Sequence, residues 1–366
     1  MRLPVRPEAS GPTGREIDES EAIRMIRHAI DEGVNYVDTA YLYHGGMSEV
    51  VTGKALRDGY RDKVKIATKM PSWIVKDYND FDRILNEQNE RLETNRIDFY
   101  LAHSLNKDQW PQMRDLGFLA WAEEKMARGQ IDCLGFSFHD NFETFREIVD
   151  ATPLWTFCQI QYNYMDTEFQ AGEEGLRYAA DRGLAVVVME PLRGGALSKE
   201  PPEAVQTLFK EAGAKRSPAD IALQWIWNRP EVTLLLSGMS TMDQVVENIA
   251  SADRSGIGKL GDRELKLVDR IRDTYRTLAP ISCTGCGYCM PCPAGVDIPH
   301  AFAKYNDARI YDDPRTARFR YRQVPKERWA DNCTECGDCE EQCPQNIEIT
   351  TWLKTAHTFL GPIKKG

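Results

Sequence analysis

No stretch of this 366-residue sequence approaches the roughly 18 consecutive apolar residues that a helical membrane span needs. The opening Met1 to Gly14 also lacks the charged-then-apolar pattern of a secretory signal. Both absences point to a cytoplasmic protein with no membrane partner. Positive charge is not in excess either: 46 Lys and Arg stand against 56 Asp and Glu, a formal net charge of -10. Neutralising phosphates needs a basic surface, so broad nucleic-acid binding is excluded and small molecules or proteins are left as partners. Cysteine is nearly missing from the first 282 residues, where only Cys133 and Cys158 occur, both in apolar runs that mark them as core. A disulfide framework spread through the fold is thereby excluded. Global disorder is excluded by a hydrophobic content of 42%, and the length allows two domains at roughly 100 to 200 residues each.

What is present is a regular alternation. Short apolar, branched runs recur at 36–40, 64–69, 98–103, 133–138, 157–162, 185–191 and 232–237. Helical patterns flank them at 19–32, 48–57, 79–93, 116–128, 143–151, 172–182, 219–228 and 242–252. Strand and helix alternating over some 250 residues predict parallel strands with crossover helices, and the length suits a (β/α)8 TIM barrel. Seven strands are counted where eight are needed. The opening Arg2-Leu3-Pro4 reads as the tail of a missing first strand, which would make Met1 an internal methionine of a longer chain. A closed barrel cannot easily lose a strand, because the gap exposes unpaired backbone and core side chains.

In a parallel barrel the active site forms at the C-terminal face, so polar residues ending successive strands should converge there. Asp38, Lys69 and His103 end the first three runs, and Tyr43 follows Asp38 in a Tyr-His-Gly-Gly loop. A tyrosine donates a proton to a developing alkoxide when a nearby lysine lowers its pKa, and an aspartate can pair with that lysine. A histidine beside the carbonyl oxygen orients substrate. Each residue has an ordinary structural explanation alone: a strand-end cap for Asp38, a solvated strand end for Lys69, a satisfied histidine, a packed loop tyrosine. Their joint placement favours a site. Trp73 and Trp110, in segments after Lys69 and His103, are candidate pocket walls, with Trp73 the better placed; Trp225 and Trp227 read as packing.

These residues resemble the aldo-keto reductase superfamily. The resemblance rests on Asp38-Thr39-Ala40 with Tyr43, Glu49 and Gly53, on Thr68-Lys69, on Leu101-Ala102-His103-Ser104, and on Gly135-Phe136-Ser137. It continues through Gln159 with Tyr162-Asn163, Pro191-Leu192, and Gly238-Met239-Ser240-Thr241 followed by Glu247-Asn248, covering about residues 1 to 277. It implies hydride transfer between a nicotinamide cofactor and a carbonyl, without metal. Tyr43 would be the general acid, tuned by Lys69 and Asp38, with His103 positioning the carbonyl oxygen. Ser137 and Gln159 would lie near the nicotinamide carboxamide, and Gly238, Ser240, Thr241, Gln244 and Asn248 near the adenosine phosphates. The sequence departs from the family pattern at Phe138, where asparagine is usual, and at Met189, where a tyrosine commonly stacks on the nicotinamide. Gly238 and Gln244 stand where many relatives place basic residues, with Lys215 and Arg216 as the nearby cations. NADPH, NADH and FMN in the same cleft therefore all stay open.

Eight of the ten cysteines fall in the last 84 residues. Cys283, Cys286, Cys289 and Cys292 are spaced CxxCxxCxxCP, and Cys333, Cys336, Cys339 and Cys343 CxxCxxCxxxCP. Three cysteines in such a run can curl around one cubane, while the fourth, before proline, leaves to ligate the other cluster. Structural zinc usually uses separated CxxC pairs, so two 4Fe-4S clusters are the better reading. Crossing assigns Cys283, Cys286, Cys289 and Cys343 to one and Cys333, Cys336, Cys339 and Cys292 to the other. The shorter spacing before Cys292 leaves its cluster open. The CxxxCxxC of radical SAM barrels is absent. The 40-residue spacer resembles the α-helical ferredoxin type, giving a barrel over 1–278 and a small ferredoxin-type domain over 279–366. From 301 to 330, eight Lys or Arg oppose four Asp or Glu, including Arg315, Arg318, Arg320 and Arg322. They either dock an acidic, ferredoxin-like electron carrier or solvate and pair within the chain.

Three functions follow. The first is a carbonyl or alcohol oxidoreductase acting on a small molecule, with Tyr43 as acid. The second is a flavin- or ferredoxin-linked reductase fed by the clusters, since a hydride moves two electrons and a cluster one. The third is a non-catalytic electron-transfer or redox-sensing module, which has no need for an intact Asp38, Tyr43, Lys69 and His103.

Overall fold

The apolar runs form seven parallel strands, in keeping with the near-continuous Val, Ile, Leu and Phe content of strands buried on both faces. The computed structural model describes residues 2–6, 16–211, 216–283, 285, 287–343 and 345–362. The strands are β1 (Tyr36–Asp38), β2 (Lys65–Pro71), β3 (Ile97–Leu105), β4 (Ile131–Phe138), β5 (Trp155–Gln161), β6 (Ala185–Met189) and β7 (Val232–Leu235), hydrogen-bonded in chain order. Before, between and after them run α1 (Glu19–Asp31), α2 (Met47–Ala55), α3 (Asn79–Leu92), α4 (Gln109–Asp115), α5 (Phe118–Ala127), α6 (Phe142–Asp150), α7 (Gly172–Asp181), α8 (Glu203–Glu211), α9 (Pro218–Trp227) and α10 (Met242–Ala252). Side-chain caps begin several of these helices: Asp18 accepts from the Glu21 N–H, Asn141 from Thr144, and Ser217 from Asp220 ahead of Pro218 in the first turn. Helix α4 goes beyond the sequence reading, which placed only one helix after β3; Gly117, in the left-handed region, separates α4 from α5.

The sheet curls but does not close. Among the described residues no ladder joins β7 to β1. Arg2-Leu3-Pro4 pairs with neither edge; Val5 instead bridges Ile17 antiparallel, and the Leu3 N–H donates to His44 Nε2 at 3.1 Å. The expected first strand is thus absent among the described residues. Met25 and Ala29 of α1 cluster with Val245 of α10, flanked by Met242 and Ile249.

Register explains why the site residues meet. Asp38 pairs with Ala67, Lys69 with Leu101 and Ser137 with Gln159. Side chains two apart share a face, so Tyr36, Phe99, Cys133 and Ala185 line the same interior as Ala67, Leu101, Phe157 and Val187. One step further along these inward columns stand Asp38, Lys69, His103, Ser137, Gln159 and Met189. A Cβ at Gly135 would lie 2.6 Å from both the ring and the carbonyl oxygen of Phe157, so glycine is needed for that ring to fill the interior. Cys158 is buried, as expected, while Cys133 is half-buried.

Packing divides the chain into two compact units: residues 1–198 with 216–265, and 199–215 with 266–366. The second unit contains α8, most of α11 (Asp262–Thr277), α12 (Ile298–Ile310), α13 (Pro314–Tyr321), α14 (Asp338–Glu341) and α15 (Ile349–Leu360). Its core gathers Ile281, Val296, Phe302, Tyr321, Trp329 and Leu353. The buried Asn306 side chain accepts from the Ile281 N–H and donates to its carbonyl, fixing the approach to the first cysteine motif. Among the described residues, no helix is long and apolar enough to cross a membrane.

Candidate active site and metal centre

At the C-terminal ends of the first three strands, Lys69 is fully buried and its Nζ donates to Asp38 Oδ2 at 2.6 Å and to the Thr39 carbonyl at 2.7 Å. Tyr43 follows β1 in a 3-10 turn whose next three residues, His44, Gly45 and Gly46, all have positive φ. Two glycines make this left-handed turn accessible, and it sets the phenol over the strand ends. The Tyr43 ring centroid is 5.2 Å from Lys69 Nζ and 5.9 Å from the His103 ring. Trp73 lies 5.0 Å from His103 and is half-exposed, which keeps it beside the strand ends where the sequence reading set a pocket wall. Trp110 does not: it is buried in α4, 6.1 Å from Trp155, because its helix turns it into the packing layer. Trp225 packs on Tyr162, as read from the sequence.

The electrostatics separate the four groups. Burial pushes the Lys69 ammonium down, but Asp38, Tyr43 and Glu49 outweigh it and hold the group above the usual lysine range. The Lys69 charge is the largest single influence on Tyr43 and lowers it, yet burial, Asp38 and Glu190 together prevail. Tyr43 is therefore held above the ordinary tyrosine value, against the sequence expectation of a lowered pKa. Burial, then the Lys69 charge, push His103 well below the usual histidine range, so its imidazole is neutral at neutral pH. His103 Nδ1 and Gln159 Oε1 are buried with no hydrogen-bond partner among the described residues. Such atoms normally find partners; Gln159 lines the cavity that also holds Tyr43, and the His103 ring stands 5.9 Å from Tyr43.

A cavity of about 590 Å³ runs from Asp38, Tyr43 and Gln159 to Gly238 and Asn248, along an apolar flank that includes Ile26 and Leu235. It joins the Asp38–Tyr43 end of the strands to the far end of the sequence-predicted cofactor set. A second cavity, about 340 Å³, is lined by Gly238, Ser240, Gln244 and Asn248 together with Arg2. Ser137 is elsewhere engaged, its hydroxyl accepting from the Ser104 N–H at 2.7 Å, while Gln159 Nε2 reaches Met189 Sδ at 3.4 Å. Thr241 caps α10, accepting from the Gln244 N–H, and the Gln244 side chain accepts from the Ser240 N–H. Arg216 is no spare cation, because Asp220 and Glu264 hold it at 3.1 and 2.9 Å; Lys215 lies outside the described residues. Sequence reasoning missed Arg2, His139 and Glu190, all of which line these cavities. His139 and Glu190 follow Ser137 and Met189 just past the strand ends, a signal that was available; Arg2 had none.

In the second unit, Cys292, Cys333, Cys336 and Cys339 line one cavity of about 360 Å³, together with Cys289. Four of these are the set that the crossing rule assigns to one cluster, so the donors suit a thiolate-bound iron centre. Cys283 and Cys343 pack nearby on the same core, and Cys286 lies outside the described residues. Among the described residues no three metal-ligating side chains converge on a single-ion position. Several spacer arginines are internally used: Arg318 and Arg322 donate to carbonyls at the end of α15, and Arg328 pairs with Asp297.

An aldo/keto reductase family model matches residues 9–272, and a 4Fe-4S dicluster domain model matches residues 282–348. Aldo-keto reductase YhdN of Bacillus subtilis is 29% identical over 263 residues, covering 60% of this chain and 75% of its own length. L-galactose dehydrogenase of Arabidopsis thaliana is 25% identical over 282 residues, 72% of this chain and 87% of that protein. Among solved structures, the holo form of aldo-keto reductase AKR11C1 from Bacillus halodurans matches with a TM-score of 0.59 at 26% identity, covering 69% of this chain and 88% of that one. An aldo-keto reductase from Klebsiella pneumoniae in complex with NADPH matches with a TM-score of 0.59 at 23% identity, covering 74% and 90%, a likeness of fold.

Proposed function

Because the chain belongs to the aldo/keto reductase family, an oxidoreductase with a 4Fe-4S dicluster domain toward its C-terminal end, we propose that it reduces a small-molecule carbonyl with Tyr43 as the proton donor. The observation that carries this reading is the buried Lys69–Asp38 pair under the Tyr43 ring, with a neutral His103 on the same mouth. A reduced nicotinamide, NADPH or NADH, supplies the hydride when bound. Gln159 Oε1 is free to accept from its carboxamide, with Ser137 beside it. Gly238, Ser240, Thr241, Gln244 and Asn248 hold the adenosine end, where Arg2 offers a cation. The neutral His103 imidazole donates to the carbonyl oxygen and directs it toward Tyr43. The Tyr43 hydroxyl then gives its proton to that oxygen as the carbonyl carbon becomes the alcohol carbon. Lys69 stabilises the phenolate until solvent restores the proton.

The acid is held above the ordinary tyrosine value and the histidine well below its own. Carbonyl reduction should therefore show a flat kcat/KM from about pH 6 to about pH 9, falling only above that, because the donor stays protonated and the imidazole neutral. Alcohol oxidation needs the phenolate and should rise with pH over the same range. Following reduced-nicotinamide absorbance with a panel of aldehydes and ketones checks both; a reduction limb falling near neutral pH would remove Tyr43 from the role.

The barrel chemistry belongs to residues 1–278 and the cluster chemistry to residues 279–366. Cys283, Cys286, Cys289 and Cys343 hold one 4Fe-4S cluster, and Cys333, Cys336, Cys339 and Cys292 the other. The clusters pass single electrons, for which a ferredoxin-like carrier is the matching protein partner. The cavity shared by Cys292 with Cys333, Cys336 and Cys339 supports the crossed set. Cys292→Ser should lower iron and sulfide per chain by about half in anaerobically purified protein, one cluster being lost. Its electron paramagnetic resonance should keep the signal of the cluster on Cys283, Cys286, Cys289 and Cys343. Zinc in place of iron, or an unchanged iron content, would reject the assignment.

A further inference from the structure

Behind Lys69 lies a carboxylate to which the chemistry above gives no task. Glu49, on α2, is fully buried, as are Thr68, Lys69, Gln88 and Tyr100. A buried charge is costly unless paired and fully hydrogen-bonded. Glu49 Oε1 accepts from the Thr68 hydroxyl at 2.6 Å and from Gln88 Nε2 at 2.9 Å, while Oε2 accepts from Arg91 Nη1 at 3.2 Å. Gln88 Nε2 also reaches the Lys69 carbonyl at 3.0 Å, and its own oxygen accepts from Tyr100 at 2.7 Å. The network grips β2 at the two residues that present the amine, and the Glu49 charge, partly offset by Arg91, acts on that amine.

We propose that Glu49 is a positioning residue for proton donation, acting through Lys69 in two ways. Its hydrogen bonds fix the Thr68-Lys69 backbone, and its negative charge, together with that of Asp38, keeps the buried ammonium protonated. The charged and titratable groups around that ammonium are Asp38, Tyr43, Glu49 and His103, with Arg91 behind Glu49 and Glu87 3.6 Å from Arg91. Arg91 damps the field of Glu49 without touching Lys69, so the two side chains should move the Tyr43–Lys69 pair in opposite directions.

This inference rests on Tyr43 being the acid, and its test separates the two. The pH profile of kcat/KM for carbonyl reduction is measured on the intact holoprotein and on E49Q, E49D and R91Q, with thermal melting alongside. E49Q should move the alkaline limb down by about one pH unit, a roughly tenfold loss of kcat/KM on that limb, with a much smaller change near pH 7. E49D should restore the limb even where its melting temperature is lower, because the charge is kept. R91Q should move the limb upward, a sign that simple loosening of the fold cannot produce. Should E49Q melt lower with its limb unmoved, or E49D shift as far as E49Q, Glu49 is only a brace and the proposal is overturned. If E49Q does not fold, R91Q decides by the same rule. Full activity in Tyr43→Phe would instead mark failure of the acid assignment.

Discussion

Tyr43→Phe is expected to lower kcat/KM for carbonyl reduction by about 10²- to 10⁴-fold, the range a positioned general acid supplies. The large effect follows from how little else in the cleft can give a proton. His103 is neutral and well below its usual range, Lys69 is committed to Asp38 and the Thr39 carbonyl, and Asp38 is engaged by Lys69. The fold should not register the change. Among the described residues no protein partner bonds the Tyr43 hydroxyl, so its removal orphans nothing, and the ring that packs near His103 and Lys69 is kept. Steady-state kinetics with a reactive aldehyde, beside a thermal melt, measure both sides. Less than a tenfold loss with the melt unchanged would mean that another group delivers the proton.

Asp38→Asn should act on stability as well as rate. It leaves the Lys69 ammonium, with no exposed side-chain surface, bonded only to the Thr39 carbonyl and a neutral amide, with Glu49 as the remaining carboxylate acting on it. Removing one partner of a buried pair costs about 3–5 kcal/mol. For a unit of this size that corresponds to roughly 6 to 20 °C in melting temperature. The double variant Asp38→Asn with Lys69→Met should recover much of the loss, because the unpaired charge is gone, while staying inactive. A single variant as stable as the parent would show that Lys69 is uncharged in the native protein. The two substitutions should therefore divide: Tyr43→Phe lowers rate with little loss of stability, and Asp38→Asn lowers both.

Much of this was legible in the residues. Parallel burial leaves near-continuous apolar runs, and all seven strands lie where the sequence puts them, since short β-branched runs such as Val186-Val187-Val188 favour strand over helix. Asp38, Lys69 and His103 could be read as one site because a parallel barrel brings its C-terminal strand ends together whatever the helices do. The direction of the Tyr43 shift could not be read. It depends on how burial, Asp38 and Glu190 weigh against Lys69, and Glu190 stands just past the end of β6, about 150 residues away in sequence. Trp110 was misjudged as a possible pocket wall because sequence distance from His103 does not say which face of α4 it occupies. Arg216 looked like a spare cation until the fold brought Asp220 and Glu264 to it.

The sequence alone determined the strand count, the polar residues at the C-terminal strand ends, the cysteine spacings and the lack of a long apolar run, because each depends on local order or on a period that survives in one dimension. Only the tertiary structure decided that no ladder joins β7 to β1 among the described residues, that Cys292 shares a cavity with Cys333, Cys336 and Cys339, and that Glu49 lies behind Lys69. Those are relations between segments far apart in the chain, and they arise from packing, register and desolvation, which no single stretch of residues encodes.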